Sequence, residues 1–123
     1  MPNVLGFDHL VLIVADVERT MAWYTDVLGL PSERLQEWRD QKVFFPSLRI
    51  SPTALIDVLP GRTDDAKNVD HFCLVVNDDV AELAASGRFD VVDGPDTRWG
   101  AQGDATSLYV RDPDGNVVEL RRY

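Results

Sequence analysis

The chain has 123 residues, 45% apolar and 27% charged, enough for one compact domain that buries roughly two-thirds of its unfolded surface. Its 21 acids against 12 bases give a formal charge of −9, which argues against nucleic acid or an anionic membrane as partner and leaves small molecules and other proteins. The single cysteine, Cys73, rules out an internal disulfide, fits a reducing cytoplasm and lies in an apolar pattern that predicts a buried thiol.

Phe7 to Val14 reads as a strand buried on both faces, with His9, Val11 and Ile13 on one side and Leu10, Leu12 and Val14 on the other. Its apolar run Leu10 to Ala15 is too short to span a bilayer, and no basic leader precedes it. Asp16 suits the N-cap of a helix in which Val17, Met21, Tyr24 and Leu28 recur at helical spacing, and Gly29 with Pro31 supplies the stop. From Leu35 to Pro60 the pattern is extended, predicting two or three strands around Val43-Phe44-Phe45, Leu48-Arg49-Ile50 and Ala54 to Leu59, with Pro46 at a turn, bulge or edge. Gly61 to Asn68 has no apolar period and reads as a connection between two modules, about 4–60 and 69–123, within the one domain.

The second module opens with a strand from Val69 to Val76, followed by a short helix capped by Asp78 or Asp79 and ended by Gly87. Phe89 to Val92 suggests a further strand and the Gly-rich Gly94 to Gly103 a loop. Thr106 to Arg111 and Asn116 to Arg121 form a hairpin across Asp112-Pro113-Asp114-Gly115, where proline suits the second turn position and glycine the left-handed one.

A histidine and a carboxylate recur together across these modules. His71 and Glu119 each lie 62 positions after His9 and Asp57, and Asp8 to Asp16 aligns with Asp70 to Asp78 at the same offset. Equal offsets are what a duplicated unit produces, and two imidazoles with two carboxylates form a first-row metal ligand set. A lone histidine on an apolar strand is more often a hydrogen-bonded core residue, and either acid could face solvent, Glu119 beside Arg121. The double recurrence is what favours a metal site of His9, His71 and Glu119, with Asp57 as the fourth candidate. Arg98, in the Gly-rich loop, is a candidate to hold a substrate carboxylate or thiol-conjugate anion or else a surface arginine of a hairpin connection, and Tyr109 is a candidate substrate-binding or acid-base group or else a core residue.

These motifs resemble the vicinal oxygen chelate superfamily, which includes glyoxalase I, fosfomycin-resistance enzymes, extradiol dioxygenases and bleomycin-binding proteins. The resemblance spans nearly the whole chain. It rests on Asp8-His9, on the helix containing Trp23-Tyr24 and Val27-Leu28-Gly29, on Asp70-His71, and on Asp112-Pro113-Asp114-Gly115-Asn116 leading to Glu119-Leu120. The segment from Arg98 to Gly103, with Ser107-Leu108-Tyr109, looks most like the branch that includes glyoxalase domain-containing protein 5.

The resemblance implies an α+β fold of two βαβββ modules forming a curved mixed sheet around a metal cup, and a homodimer. It also implies a divalent metal (Ni, Zn, Mn, Co or Fe) on His9, His71 and Glu119, with Asp57 at the position of glyoxalase I's second glutamate. The activity it implies is a metal-dependent lyase or isomerase of glyoxalase I type, acting on a small vicinally oxygenated substrate or thiol adduct, with Glu119 or Asp57 moving the proton. The alternatives are an Fe(II) extradiol dioxygenase on the same triad and a non-catalytic, bleomycin-type binding protein. Fosfomycin modification fits less well, because Val11 stands where those enzymes carry a threonine.

Overall fold

A computed structural model describes residues 3, 5, 7–62, 69–100 and 102–123. The chain divides into two compact units, Met1–Asp64 and Asp65–Tyr123. Most of the expected connection, 63–68, lies outside the described residues.

The first unit contains β1 (His9–Val14), α1 (Val17–Ala22), β2 (Ser32–Glu33), α2 (Leu35–Arg39), β3 (Ser47–Ser51) and β4 (Ala54–Pro60). Its sheet runs β1-β4-β3-β2, with β1 parallel to β4 and the other pairs antiparallel. The Asp16 carboxylate accepts the Arg19 N–H at 3.0 Å, so the predicted cap starts α1. Val17, Thr20, Met21 and Tyr24 are buried at helical spacing, α1 packs on β4, and Leu12 and Val14 of β1 and Ile56 and Val58 of β4 are buried. The helix widens into a π turn at Trp23–Val27 and ends at Gly29, whose φ of 85° suits glycine.

The second unit repeats the plan with β5 (His71–Val75), α3 (Val80–Ala85), β6 (Asp90–Gly100), β7 (Gly103–Arg111) and β8 (Val117–Arg122). Here the order is β5-β8-β7-β6, with β5 parallel to β8. Asp79 caps α3, accepting from Ala81 and Glu82 N–H at 2.9 and 3.3 Å. In the turn before β8, one Asp112 oxygen accepts the N–H groups of Asp114 and Asn116 at 2.9 and 2.8 Å. The α+β class and the two βαβββ modules are therefore present, each as its own mixed sheet. Among the described residues no helix is long and apolar enough to cross a membrane.

Several local expectations change. Leu35–Arg39 is helical and not extended, and Val43-Phe44-Phe45 forms no strand. The Gly-rich stretch is not a loop but part of the long β6–β7 hairpin. Gly94 serves a bulge there, where the register shifts between Asp93 and Asp96; a Cβ at this position would lie 2.6 Å from the Ser107 carbonyl oxygen. The first strand is buried on one face only: Val11 and Ile13 stay 41% and 47% exposed beside His9. Cys73 is likewise exposed and not buried. Within each unit a helix covers one face of the sheet, and the histidines sit on the other.

Candidate metal centre

In β1 and β4 the parallel register sets His9 opposite Leu55 and Val11 opposite Asp57, so His9 and Asp57 are diagonal neighbours on one face. In β5 and β8 it sets His71 opposite Val117 and Cys73 opposite Glu119, the same arrangement 62 positions later. Each histidine consequently meets its carboxylate within its own unit. His9 Nε2 lies 4.0 Å from Asp57 Oδ2, and His71 Nε2 lies 3.4 Å from Glu119 Oε1, the longer side chain reaching closer.

The far side of each imidazole is also duplicated. His9 Nδ1 lies 2.8 Å from Asp8 Oδ2, and His71 Nδ1 lies 2.6 Å from Asp70 Oδ2. An aspartate acceptor at Nδ1 draws the proton to that nitrogen and leaves the Nε2 lone pair facing the carboxylate, the tautomer a metal ligand needs. The hydrogen bond with Asp8 raises the His9 imidazole above its ordinary range, against the effect of burial, and the charges of Asp57 and Asp8 add to the rise.

The carboxylates are held by their outer oxygens. Ser47 donates its hydroxyl to Asp57 Oδ1 at 2.7 Å, and Ser107 donates to Glu119 Oε2 at 2.7 Å. Glu119 has a further partner: Arg121 Nη1 donates to the same Oε2 at 2.6 Å, with an arginine side chain only 4% exposed. Arg121 Nη2 in turn donates to the carbonyls of Arg98 and Gly103, tying the hairpin to β8. Burial would raise the Glu119 carboxyl, but hydrogen bonds from Ser107, Tyr109, Arg121 and Cys73 outweigh it and hold the group below the usual carboxylate range.

Tyr109 lies edge-on to His71, ring centroids 5.6 Å apart, and opposite Glu119 in the ladder. Burial raises its phenol, and hydrogen bonding to Glu119 adds to the rise. Although Cys73 is exposed as a residue, partial desolvation of its sulfur and the Glu119 charge push the thiol up to about 11, so it stays protonated. Arg98 is engaged by acids of its own hairpin, with Nη2 at 3.1 Å from Asp93 Oδ2 and 3.5 Å from Asp96 Oδ2.

Sequence reasoning gave no site role to Asp8, Asp70, Ser47 or Ser107, and placed Arg121 beside Glu119 only in the solvent-facing alternative. The two aspartates carried a signal, since both recur at the 62-residue offset. The serines did not, because Ser47 faces Asp57 across the ladder whereas Ser107 pairs with Arg121 and reaches Glu119 diagonally.

Two donors that share a cation at about 2.1 Å stand roughly 3.0–3.4 Å apart. The His71–Glu119 pair has that spacing, and the His9–Asp57 pair is wider by a small side-chain rotation. Each pair offers one imidazole nitrogen and one carboxylate oxygen, a donor set that fits a divalent first-row metal. Among the described residues no cluster of three or more His, Cys, Asp or Glu side chains forms a metal cage.

The Glyoxalase/Bleomycin resistance protein/Dioxygenase superfamily matches residues 6–120. The chain is 32% identical over 120 residues to virulence protein STM3117 of Salmonella typhimurium, covering 94% of this chain and 83% of that protein. It is 34% identical over 133 residues to glyoxalase domain-containing protein RDO1 of Mycosarcoma maydis, covering 98% and 70%. An integron cassette protein from the mobile metagenome of V. cholerae shares the fold with a TM-score of 0.79 at 28% identity, covering 100% of this chain and 98% of that one. With its repeated βαβββ modules and paired histidine-carboxylate motifs, the chain belongs to the glyoxalase/bleomycin resistance protein/dioxygenase superfamily.

Proposed function

We propose that this protein is a metal-dependent enzyme of glyoxalase I type, isomerising a small vicinally oxygenated substrate or thiol adduct, with His9, Asp57, His71 and Glu119 as ligands of a divalent Ni, Zn, Mn, Co or Fe ion. The observation that carries this reading is the duplicated pair, in which each Nε2 faces a carboxylate oxygen while an aspartate occupies Nδ1. When bound, such a cation stabilises negative charge on adjacent substrate oxygens.

The protein residues divide the remaining work. Glu119 is held by Arg121 and Ser107 and acts as a fixed ligand. Among the described residues Asp57 has one hydroxyl donor, on Oδ1, so the less firmly held Asp57 would leave the metal and use Oδ2 to take a proton from one substrate carbon and return it to the neighbouring one. Tyr109 packs against the His71 ring and orients it. A homodimer working in a reducing cytoplasm completes the proposal; sedimentation at twice the chain mass checks the assembly.

Metal analysis of the purified protein, with His9→Ala and Glu119→Gln as controls, tests the reading together with turnover of methylglyoxal plus glutathione. Bound metal in the wild type, its loss in both variants and isomerisation of the thiol adduct are expected. A wild type that binds no metal overturns the enzyme in favour of a sequestering protein. Oxygen uptake with catechol under Fe(II), without isomerisation, overturns it in favour of ring cleavage.

A further inference from the structure

We propose that Arg34 anchors a carboxylate of the substrate in the cavity beside His9 and Asp57, so that the substrates are small oxygenated acids. This rests on the reading of His9 and Asp57 as metal ligands and adds a substrate class to it.

The cavity measures about 350 Å³ and lies wholly within the first unit. Its charged lining consists of Asp8, His9, Glu33, Arg34 and Asp57. Three of these acids are already engaged. Asp8 holds His9 Nδ1, Glu33 gives both oxygens to Arg49 at 2.6 and 3.2 Å, and Asp57 accepts from Ser47 and faces His9. Arg34 is less engaged: its charge helps to lower the Glu33 carboxyl, but Glu33 is bound to Arg49, and among the described residues no carboxylate lies within ion-pairing distance of Arg34.

The guanidinium is nevertheless held in place. It stacks 4.6 Å from the Phe45 ring centroid, and Nη2 donates to the Phe45 carbonyl at 3.1 Å and, at 3.5 Å, to the Ser47 hydroxyl that supports Asp57. Nε and Nη1 have no acceptor among the described residues. The backbone of Arg34 is left-handed (φ 63°, ψ 18°), an uncommon state for a residue with a side chain. A pre-positioned cation with spare donors at a cavity wall is the arrangement that binds an anion with little loss of side-chain freedom. Apart from the proposed ion, whose charge its own ligands offset, Arg34 is among the described residues the one guanidinium lining the cavity, and beside three carboxylates it suits a singly charged carboxylate better than a phosphate dianion. Arg98, the sequence's candidate for this duty, is occupied by Asp93 and Asp96.

Three hydroxamates that present the same pair of adjacent oxygens and differ only at the far end provide the test: succinic monohydroxamate, butyrohydroxamate and 3-phosphonopropionohydroxamate. Their binding is measured calorimetrically on Co(II)-loaded wild type, Arg34→Met and Arg34→Lys, and read as ratios within each protein so that differences in metal loading cancel. The wild type should bind the carboxylate at least ~10-fold tighter than butyrohydroxamate, the preference expected of one charge-assisted hydrogen bond. In Arg34→Met the ratio should fall to within about 2-fold, with Arg34→Lys between, since lysine restores the charge but not the planar donor fork. An equal ratio in wild type and Arg34→Met overturns the anchor, and tighter binding of the phosphonate overturns the carboxylate assignment. Failure of butyrohydroxamate to perturb the Co(II) spectrum counts against the metal reading instead. Arg34 is then judged by butyrate against butyramide on metal-free protein, where a shift of the Arg34 Nε–H resonance by butyrate alone is expected and no shift overturns the anchor.

Discussion

The two histidine-carboxylate pairs share a backbone and differ in what stands behind the carboxylate. In both, a parallel ladder sets the histidine diagonal to the acid, an aspartate holds Nδ1 and a serine hydroxyl holds the outer oxygen. Behind Glu119 there is also a buried guanidinium; at the equivalent position behind Asp57 stands Leu59. A buried carboxylate costs several kcal/mol unless its charge is matched. Arg121 matches that of Glu119 by direct contact within the protein, whereas among the described residues Asp57 touches His9 and the Ser47 hydroxyl and has Arg34 only at one remove, through Ser47. Duplication thus preserved the geometry that sets each histidine beside its carboxylate and let the electrostatics diverge, a difference that under the proposed function would separate a fixed ligand from a carboxylate able to move a proton.

The largest test of this difference is Asp57→Asn. If Asp57 is the mobile base, kcat should fall by ~10²–10⁴. Its unfolding free energy should drop by only about 1 kcal/mol, the value of one hydrogen bond. Steady-state kinetics beside urea denaturation separates the two, and retained turnover would erase the proposed division of labour. Next, Arg121→Met should cost about 3–5 kcal/mol of stability by leaving Glu119 buried without its cation. The double variant Glu119→Gln/Arg121→Met should recover much of that loss in the same assay, since no buried charge is then left alone. A single variant as stable as the wild type would show that the two carboxylates are electrostatically alike.

Smaller effects probe what the units have in common. Asp8→Asn and Asp70→Asn should each weaken metal binding by ~10–100-fold, measured by competition with a chromophoric chelator, because the imidazole loses the acceptor that fixes its tautomer. Similar losses would mark the half-sites as equivalent in this respect; a loss confined to one would break the symmetry. The smallest changes concern the helix caps. Asp16→Ala and Asp79→Ala should each lower stability by ~1 kcal/mol, with Asp79 the larger because it accepts from two N–H groups and Asp16 from one.

Much of this architecture was legible before any coordinates. The repeat from Asp8 to Asp16 and from Asp70 to Asp78 identified the two modules, and Asp16, Gly29, Gly87 and the Asp112 to Gly115 turn punctuated the chain where local chemistry dictates backbone geometry. The failures have a shared cause. Leu35 to Arg39 is too short for a clear helical period, and Gly94 was read as loop punctuation although it serves a bulge whose need comes from the neighbouring strand. The apolar residues around His9 and Cys73 suggested burial on both faces, because apolar composition does not reveal which side of a sheet a helix will cover.

By itself, the sequence determined the duplication, the strand-then-helix opening of each unit and the identity of the paired histidines and carboxylates, since spacing, capping and turn preferences are local properties of the chain. Only the tertiary structure decided that Asp8 and Asp70 hold the imidazoles, that Arg121 lies under Glu119 while among the described residues no guanidinium pairs directly with Asp57, and that among them Arg98 is ion-paired and Arg34 is not. Those assignments depend on which side chains meet through strand register and burial. The energy of a charge depends on the neighbours that folding brings to it, and linear order does not contain them.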